Sequence, residues 1–526
     1  MGLWAAAVAA GSTLLGAGSL VWPYGRDQGN YGYAGWVWWE GGALYRDVFV
    51  FKPPLTAVLH GLAIGLFGVE MTAIRWFDLG WQAATAVVVA GIAAALTPDR
   101  RLAGLAGLAY PFFYWQLDFW NTAQTDGFMN LPIAAAIGLA LAASGRARAT
   151  EAAAFVGAGA AVGVAMAFKY TAVLALIPVA VVAGSAAVDR WRRIGVAAAG
   201  SAFGLGLAGS AVAGWLWATG AWAAFLDVQL HLIPSYVTST GPGYQSTGFP
   251  AALVEAVWTR GTLHAVGVGG IVAAIVAPWR WAVGDRETRR GLAVALAWMA
   301  AGFGSLFVQG RLHTYHFLAA LPPLALVLAL AGGPPVLAAL GRIRAPALRI
   351  GAMAAIVVVL LAGSRLPNVA ARLGRVLFTD QTLVGQWSTD AHYRVPGYHL
   401  ADILGVAADL AARTGPEDRV FVWGFEPAIL VVAQRRAVSR YLYNYPFRVS
   451  FGTPEREREL VDALTATPPV WFVVGSDDAT RSVDDAGLDS RALLTHYPAL
   501  SAFLEGGYTL DHRVGVYDAW RPKEAR

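Results

Sequence analysis

Ala, Val, Leu and Gly gather in apolar runs along the first two thirds of the chain, interrupted by short Arg-rich or Trp- and Tyr-rich stretches. Runs of roughly 17–25 residues match a hydrocarbon core of about 30 Å at about 1.5 Å of rise per residue. They predict about eleven spans, near 3–22, 72–97, 102–117, 128–145, 152–168, 170–188, 195–218, 262–279, 291–308, 314–332 and 346–363. Residues 53–68 (PPLTAVLHGLAIGLFG) are apolar but short and begin with proline, a pattern that predicts a re-entrant or interfacial helix. From residue 365 onward long apolar runs vanish and Asp, Arg, Glu and Pro rise. There RVFVWG (419–424) and VWFVVG (470–475) read as buried strands, with helices predicted at 426–434 and 455–464 and a closing hairpin at 508–520. The pattern therefore predicts a polytopic α-helical membrane module over 1–364 and a small extracytoplasmic α/β domain over 365–526. No internal repeat of the kind that marks many transporter halves is seen.

Composition sharpens this. The chain is 57% hydrophobic and only 14% charged, with a mean hydropathy of +0.50, whereas soluble domains run to about a quarter charged. The absence of cysteine excludes disulfide frameworks, thiolate metal sites and thiol nucleophiles. A net charge of +5 raises nucleic acid as a partner, but the arginines cluster between apolar runs, as topology signals do, so none is expected. With the N-terminus cytoplasmic, the loops at 98–101, 145–149, 189–193, 280–290 and 341–349 hold about fourteen arginines against about seven basic residues opposite, as the positive-inside rule requires. The first segment lacks a basic n-region and a small-residue cleavage site, so it reads as a retained span. The outer face then carries the first loop, the loop near 118–127, the long loop 219–261 and the C-terminal domain.

Candidate chemistry concentrates on that face. The first loop, PYGRDQGNYGYAGW (23–36), carries Arg26, Asp27, Gln28, Asn30, Tyr31 and Tyr33. Trp36, Trp38 and Trp39 read as an interfacial belt, and 29–44 as a helix lying on the membrane surface. A helix cap needs only Ser, Asn or Gly, so Asp27 asks for a further reason. The second loop, DFWNTAQTDGFMNLP (118–132), adds Asp118, Gln124 and Asp126, although Asp126 also fits as a first-turn residue meeting the positive end of the next helix. Two carboxylates from different loops on one face suit acid/base work on a sugar or phosphate. Lys169, in MAFKYTAV, interrupts an apolar hairpin, where a charge is costly unless it snorkels or pairs. GRLHTYHFLAALPP (310–323) adds Arg311, His313, Tyr315 and His316; Arg suits bidentate phosphate recognition, and a snorkelling Arg is the alternative. His313 and His316 have no third ligand nearby in sequence and make no metal motif, and His60 reads as a locally satisfied histidine. Asp227, Gln229, His231 and Tyr236 precede STGPGYQSTG (239–248), a mobile closing segment or an idle connector.

Taken together, PYGRDQGNY, YRDVFVFKPPLTAVLHGLAIGLFG with Arg75 following, TDGFMNLP, GVAMAFKYTA, GRLHTYHFLAALPP and RVFVWG resemble, in order and spacing, the GT-C superfamily of glycosyltransferases. The nearest branch contains the protein O-mannosyltransferases and lipid A aminoarabinosyltransferases. The resemblance implies a bacterial cytoplasmic-membrane enzyme that takes a sugar from a polyprenyl-phosphate donor and passes it, with inversion, to an acceptor hydroxyl of a lipid, glycan or protein. It implies Asp27 as catalytic base and Asp126 as the second-loop acid. Lys169 and Arg311, with His313 and His316, would hold the donor phosphate, and Arg26, Tyr31, Gln124 and Tyr315 would line the substrate site. Protein mannosyltransferases show an Asp-Glu pair in the first loop; Gln28 after Asp27 leans toward the broader bacterial branch. No cofactor is demanded, and a divalent cation is compatible. The competing readings are a lipid or glycan flippase, or a non-catalytic envelope assembly protein.

Overall fold

The computed structural model describes residues 2–143, 146–185, 189–240, 248–448, 451–479 and 486–523. Most of STGPGYQSTG, and Gly145 of the second Arg-rich loop, lie outside the described residues. The chain forms two compact units: one of Met1–Leu20, Phe77–Ala213 and Gly243–Gly374, the other of Val21–Trp76, Gly214–Pro242 and Arg375–Arg526.

The first unit is helical. Among the described residues of the chain, eight helices are long and apolar enough to cross a membrane: Gly2–Val21, Ala73–Leu96, Thr125–Ala142, Arg148–Met166, Arg190–Ala218, Gly261–Val283, Arg286–Gln309 and Thr314–Arg342. A ninth candidate, Pro346–Ala362 with Leu366–Phe378, is bent by 76°. The protein is thus a multi-pass membrane protein with fewer full-length spans than the apolar runs predict. The run at 102–117 becomes a 15-residue helix, Arg100–Tyr114, opened by two arginines and carrying Pro111; it is only about 22 Å long at 1.5 Å per residue. The run at 170–188 becomes the short apolar stretch Tyr170–Gly184, which starts as a 3-10 turn and reaches α-helix only at Leu176.

The second unit contains the first-loop helix Arg26–Trp39, the 13-residue apolar helix Leu55–Phe67, and a mixed sheet. Leu55–Phe67 is about 20 Å long, too short to cross, as its sequence predicts. The two helices touch backbone to backbone: a Cβ on Gly35 would stand 2.4 Å from the Gly61 nitrogen, and one on Gly61 would stand 2.6 Å from the Gly35 oxygen. Arg26–Trp39 begins earlier than the expected 29–44 and is no simple surface helix. Gln28 to Trp36 are buried within the protein, and of the tryptophans only Trp39 is exposed.

Five strands form the sheet in the order β2-β1-β3-β5-β4: β1 (Arg419–Trp423), β2 (Arg436–Ala437), β3 (Trp471–Gly475), β4 (Tyr508–Val514) and β5 (Tyr517–Pro522). β1 pairs in parallel with both β2 and β3, and β5 runs antiparallel to β3 and β4. The apolar runs at 419–424 and 470–475 are the two central parallel strands, buried on both faces as such strands are. Helix Leu400–Arg413, which the sequence reading does not single out, buries Leu400, Ile403, Leu404, Ala407 and Leu410 at helical spacing. The chain leaves β1 for β2 on one side and returns to β3 on the other. Beyond the carboxyl ends of β1 and β3 lies therefore the crevice in which α/β sheets take their ligands.

Candidate functional site

Two clusters of functional side chains stand out, each inside its own unit. In the helical unit, Lys169 follows helix Arg148–Met166 and Asp126 lies in the first turn of the helix that opens at Thr125. Lys169 Nζ stands 2.6 Å from Asp126 Oδ2, with the side chains 10% and 0% exposed. The pair answers the sequence puzzle of a charge inside an apolar hairpin: it is not snorkelling but paired, which such a site requires. Nζ also sits 5.6 Å over the Tyr315 ring.

Tyr315 belongs to the turn that follows the long helix Arg286–Gln309, which ends at Gly310 in the left-handed conformation. The Tyr315 ring lies 5.6 Å from His313, stacked, and 4.6 Å from His316, edge-on. His316 Nδ1–H donates to the Arg311 carbonyl, so the turn is braced from within. Arg311 Nη2 is buried with no hydrogen-bond partner among the described residues. The structure thus brings Asp126, Lys169, His313, Tyr315 and His316 into one neighbourhood. Gln124 lies buried two residues before Asp126, its amide donating to the Trp120 carbonyl at 3.1 Å.

Two groups here escape the sequence reading. Arg260 donates to the Leu312 carbonyl and so ties down the 310–316 turn; an Arg directly before a Gly in a polar connector gives little warning. Asp78 is fully buried, accepting from the Tyr114 hydroxyl at 2.9 Å and from Gln82 at 2.8 Å. The same Tyr114 oxygen accepts the Ala123 N–H at 3.1 Å, which fixes the backbone leading into Gln124 and Asp126. An Asp with a Gln one turn later inside an apolar run was the available signal. Beside Phe317 of the same turn opens an apolar cavity of about 570 Å³, lined by Leu253, Trp258, Ile271, Met299, Phe317 and Leu324.

In the second unit, Asp27 is half-buried in the first turn of Arg26–Trp39. Its charge reaches Tyr443, whose hydroxyl is raised well above the usual range by burial first and by Asp27 second. Tyr443 stacks with Phe425 and Tyr445, at 6.1 and 5.8 Å. Tyr31 is buried, 5.4 Å from the His60 ring, and His60 bonds the Thr56 carbonyl at 2.9 Å, the local role expected of it. Arg26 is also buried, and its guanidinium is engaged inside the protein by Glu426 and the Gly397 carbonyl. Asp227 and His231 of the long loop contribute to a polar groove of about 620 Å³ with Arg46, Arg440, Glu455 and Glu459. Among the described residues no group of three or more His, Cys, Asp or Glu side chains is arranged to hold a metal ion.

With this geometry in place, comparison with known proteins is informative. Residues 51–217 match the model of the dolichyl-phosphate-mannose-protein mannosyltransferase family. Comparison with curated proteins gives no match. Among solved structures, ArnT from Cupriavidus metallidurans bound to undecaprenyl phosphate matches with a TM-score of 0.55 at 16% identity, covering 98% of this chain and 97% of that one. Its apo form matches with a TM-score of 0.54 at 15% identity, covering 96% and 95%. The Archaeoglobus fulgidus oligosaccharyltransferase in complex with Zn and sulfate matches with a TM-score of 0.50 at 14% identity, covering 97% of this chain and 72% of that one.

Proposed function

We propose that this protein, which carries the GT-C glycosyltransferase fold and the mannosyltransferase family pattern over residues 51–217, transfers a sugar from a polyprenyl-phosphate donor to an acceptor hydroxyl at the outer face of a bacterial cytoplasmic membrane. The observation that carries the reading is the turn at 310–316. It holds a buried guanidinium nitrogen, Arg311 Nη2, with no acceptor among the described residues, and packs Tyr315 against a lysine fixed by a carboxylate. A buried guanidinium nitrogen that lacks an acceptor suits an anion. The apolar cavity beside Phe317 suits the first isoprene units of a lipid tail whose phosphate lies at that turn.

In this reading Asp126 holds Lys169 in place rather than acting on the sugar. Asp27 is the base. The acceptor hydroxyl gives its proton to the Asp27 carboxylate, its oxygen attacks C1, and the bond from C1 to the phosphate oxygen breaks with polyprenyl phosphate leaving. A single displacement inverts C1. Lys169 and Arg311 stabilise the charge that grows on the departing phosphate. The polar groove with Arg440 and Glu459 suits a hydroxyl-rich acceptor. A divalent cation has no step here, and the N-cytoplasmic orientation with residues 365–526 outside rests on the arginine distribution.

The test is release of polyprenyl phosphate from short-chain polyprenyl-phosphate hexose and pentose donors, by wild type and by Asp27→Asn. Turnover by wild type that is lost in the variant supports the reading. Equal turnover by both sinks the base assignment, and movement of labelled lipid across liposomes without any glycosidic bond formed would replace transferase with flippase.

A further inference from the structure

The crevice beyond the carboxyl ends of β1 and β3 is the place where an α/β sheet ordinarily binds a ligand. Here it holds a side chain of the same unit. The loop after β1, Gly424–Phe425–Glu426–Pro427, is pinned on both sides: the Gly424 carbonyl accepts from Asn444 N–H at 2.9 Å, and Phe425 N–H donates to Asp478 at 3.1 Å. Asp478, just past β3, is itself fixed by Ser490 N–H at 2.7 Å. Into this frame reaches Arg26, the first residue of the helix that carries Asp27. Its Nε donates to Glu426 Oε1 at 2.7 Å, Nη2 donates to the same oxygen, and Nη2 also donates to the Gly397 carbonyl at 2.8 Å. The guanidinium stacks 4.1 Å over Phe425, whose ring also receives Arg448 at 4.4 Å. Gly29, one turn on, has no room for a side chain, since a Cβ would stand 2.8 Å from the Ala428 nitrogen.

We propose that Glu426 is a positioning residue for the transfer reaction: the α/β sheet grips Arg26 in its ligand crevice and thereby sets the place and orientation of Asp27 next to it. The inference rests on the base role of Asp27. Glu426 is 1% exposed, and its second oxygen, Oε2, has no hydrogen-bond partner among the described residues. Both bonds from the Arg26 guanidinium go to its first oxygen, Oε1. The groups that face it are Arg26 from the first-loop helix, Asp478 after β3, Arg448, Tyr398 and Tyr517 of β5. Burial pushes Glu426 up to about 7, against the pull of Arg26, with Asp478 adding to the rise and Arg448 opposing it. The grip is thus set to loosen when the medium turns mildly acidic.

The experiment is a double-variant cycle on the full-length protein, read by polyprenyl phosphate release and by thermal unfolding. Glu426→Gln leaves the buried Arg26 without its carboxylate partner. The double variant Glu426→Gln with Arg26→Met removes the stranded charge. In the double variant we expect the thermal midpoint to return toward wild type, while kcat stays at least tenfold down and the donor KM stays within about threefold, because stability is repaired and alignment is not. Wild-type kcat is expected to show an acidic limb near pH 7 that Glu426→Gln lacks. A double variant that recovers kcat together with its thermal midpoint overturns the proposal, leaving the pair purely structural. Failure of the underlying reading shows separately, as normal turnover by Asp27→Asn.

Discussion

Each unit buries one ion pair near its candidate chemistry, and the pairs are built in opposite ways. Lys169 and Asp126 are 43 residues apart, the lysine inside an apolar run and the aspartate where a polar loop enters a helix, and the cation carries a tyrosine ring and a histidine-rich turn beside it. Arg26 and Glu426 are 400 residues apart, and the pair joins a helix start to the end of a strand. A charge inside an apolar run must find a partner or a ligand, so Lys169 betrays itself in one dimension. A charge in a polar loop carries no such obligation, and Arg26 is indistinguishable from a solvated arginine until the fold closes on it. In the proposed function the first pair places a charge for a substrate, and the second uses two charges to place a third.

That contrast can be broken most strongly at Asp27. Asp27→Asn is expected to lower turnover by about 10²–10⁴-fold, the range of a lost general base, with the thermal midpoint unchanged; a loss of folding instead would make Asp27 a structural cap. Lys169→Met comes next. It strands Asp126 and should cost about 3–5 kcal/mol of stability in chemical unfolding, together with a raised donor KM. Adding Asp126→Asn should restore stability but not donor binding, the mirror image of the Arg26–Glu426 cycle, where donor binding survives. Arg311→Ala should raise the donor KM about ten- to a hundredfold through the loss of a charge-assisted hydrogen bond, with little change in unfolding. Loss of stability there, without a change in KM, would make Arg311 an anchor to the headgroups.

Smaller effects come from pH. The folded protein holds Glu426 at about 7 against an ordinary 4.5, so the folded state keeps its proton over that window while the unfolded state has released it. Stability contributed by this group is therefore present below about 4.5 and lost as pH rises toward about 7. The wild-type midpoint should fall as pH rises through that window, and the midpoint of Glu426→Gln should not follow it. Smallest of all, Arg458→Ala removes an exposed pair with Glu455 and should leave both activity and midpoint unchanged, a baseline for the rest.

The apolar runs betray most spans, the short helix at 55–67 and the two central strands, because lipid and a doubly covered sheet both demand unbroken hydrophobicity. Where a run fails to become a full span, at Arg100–Tyr114 and Tyr170–Gly184, the cause is local: a proline, paired arginines, or a 3-10 start. Lys169, Asp126 and the GRLHTYH turn are legible for the reason already given. What escapes is long-range and polar: Glu426 with Arg26, and Asp78 reaching through Tyr114 to the second loop. Neither leaves a periodic trace, since each depends on one residue meeting another across the fold. The surface helix expected at 29–44 fails for a related reason: its tryptophans do suit an interface, but Trp36 is covered and holds the Arg436 guanidinium 3.7 Å over its ring.

The glycine contact between Arg26–Trp39 and Leu55–Phe67 has a mechanical consequence. Two helices that meet at bare backbone, with Gly35 and Gly61 face to face, have no side-chain cushion through which to slide or tilt against each other. They form one stiff lever. If the protein changes shape during the proposed transfer, that movement is taken up outside this pair, and the lever carries Asp27 with it unchanged.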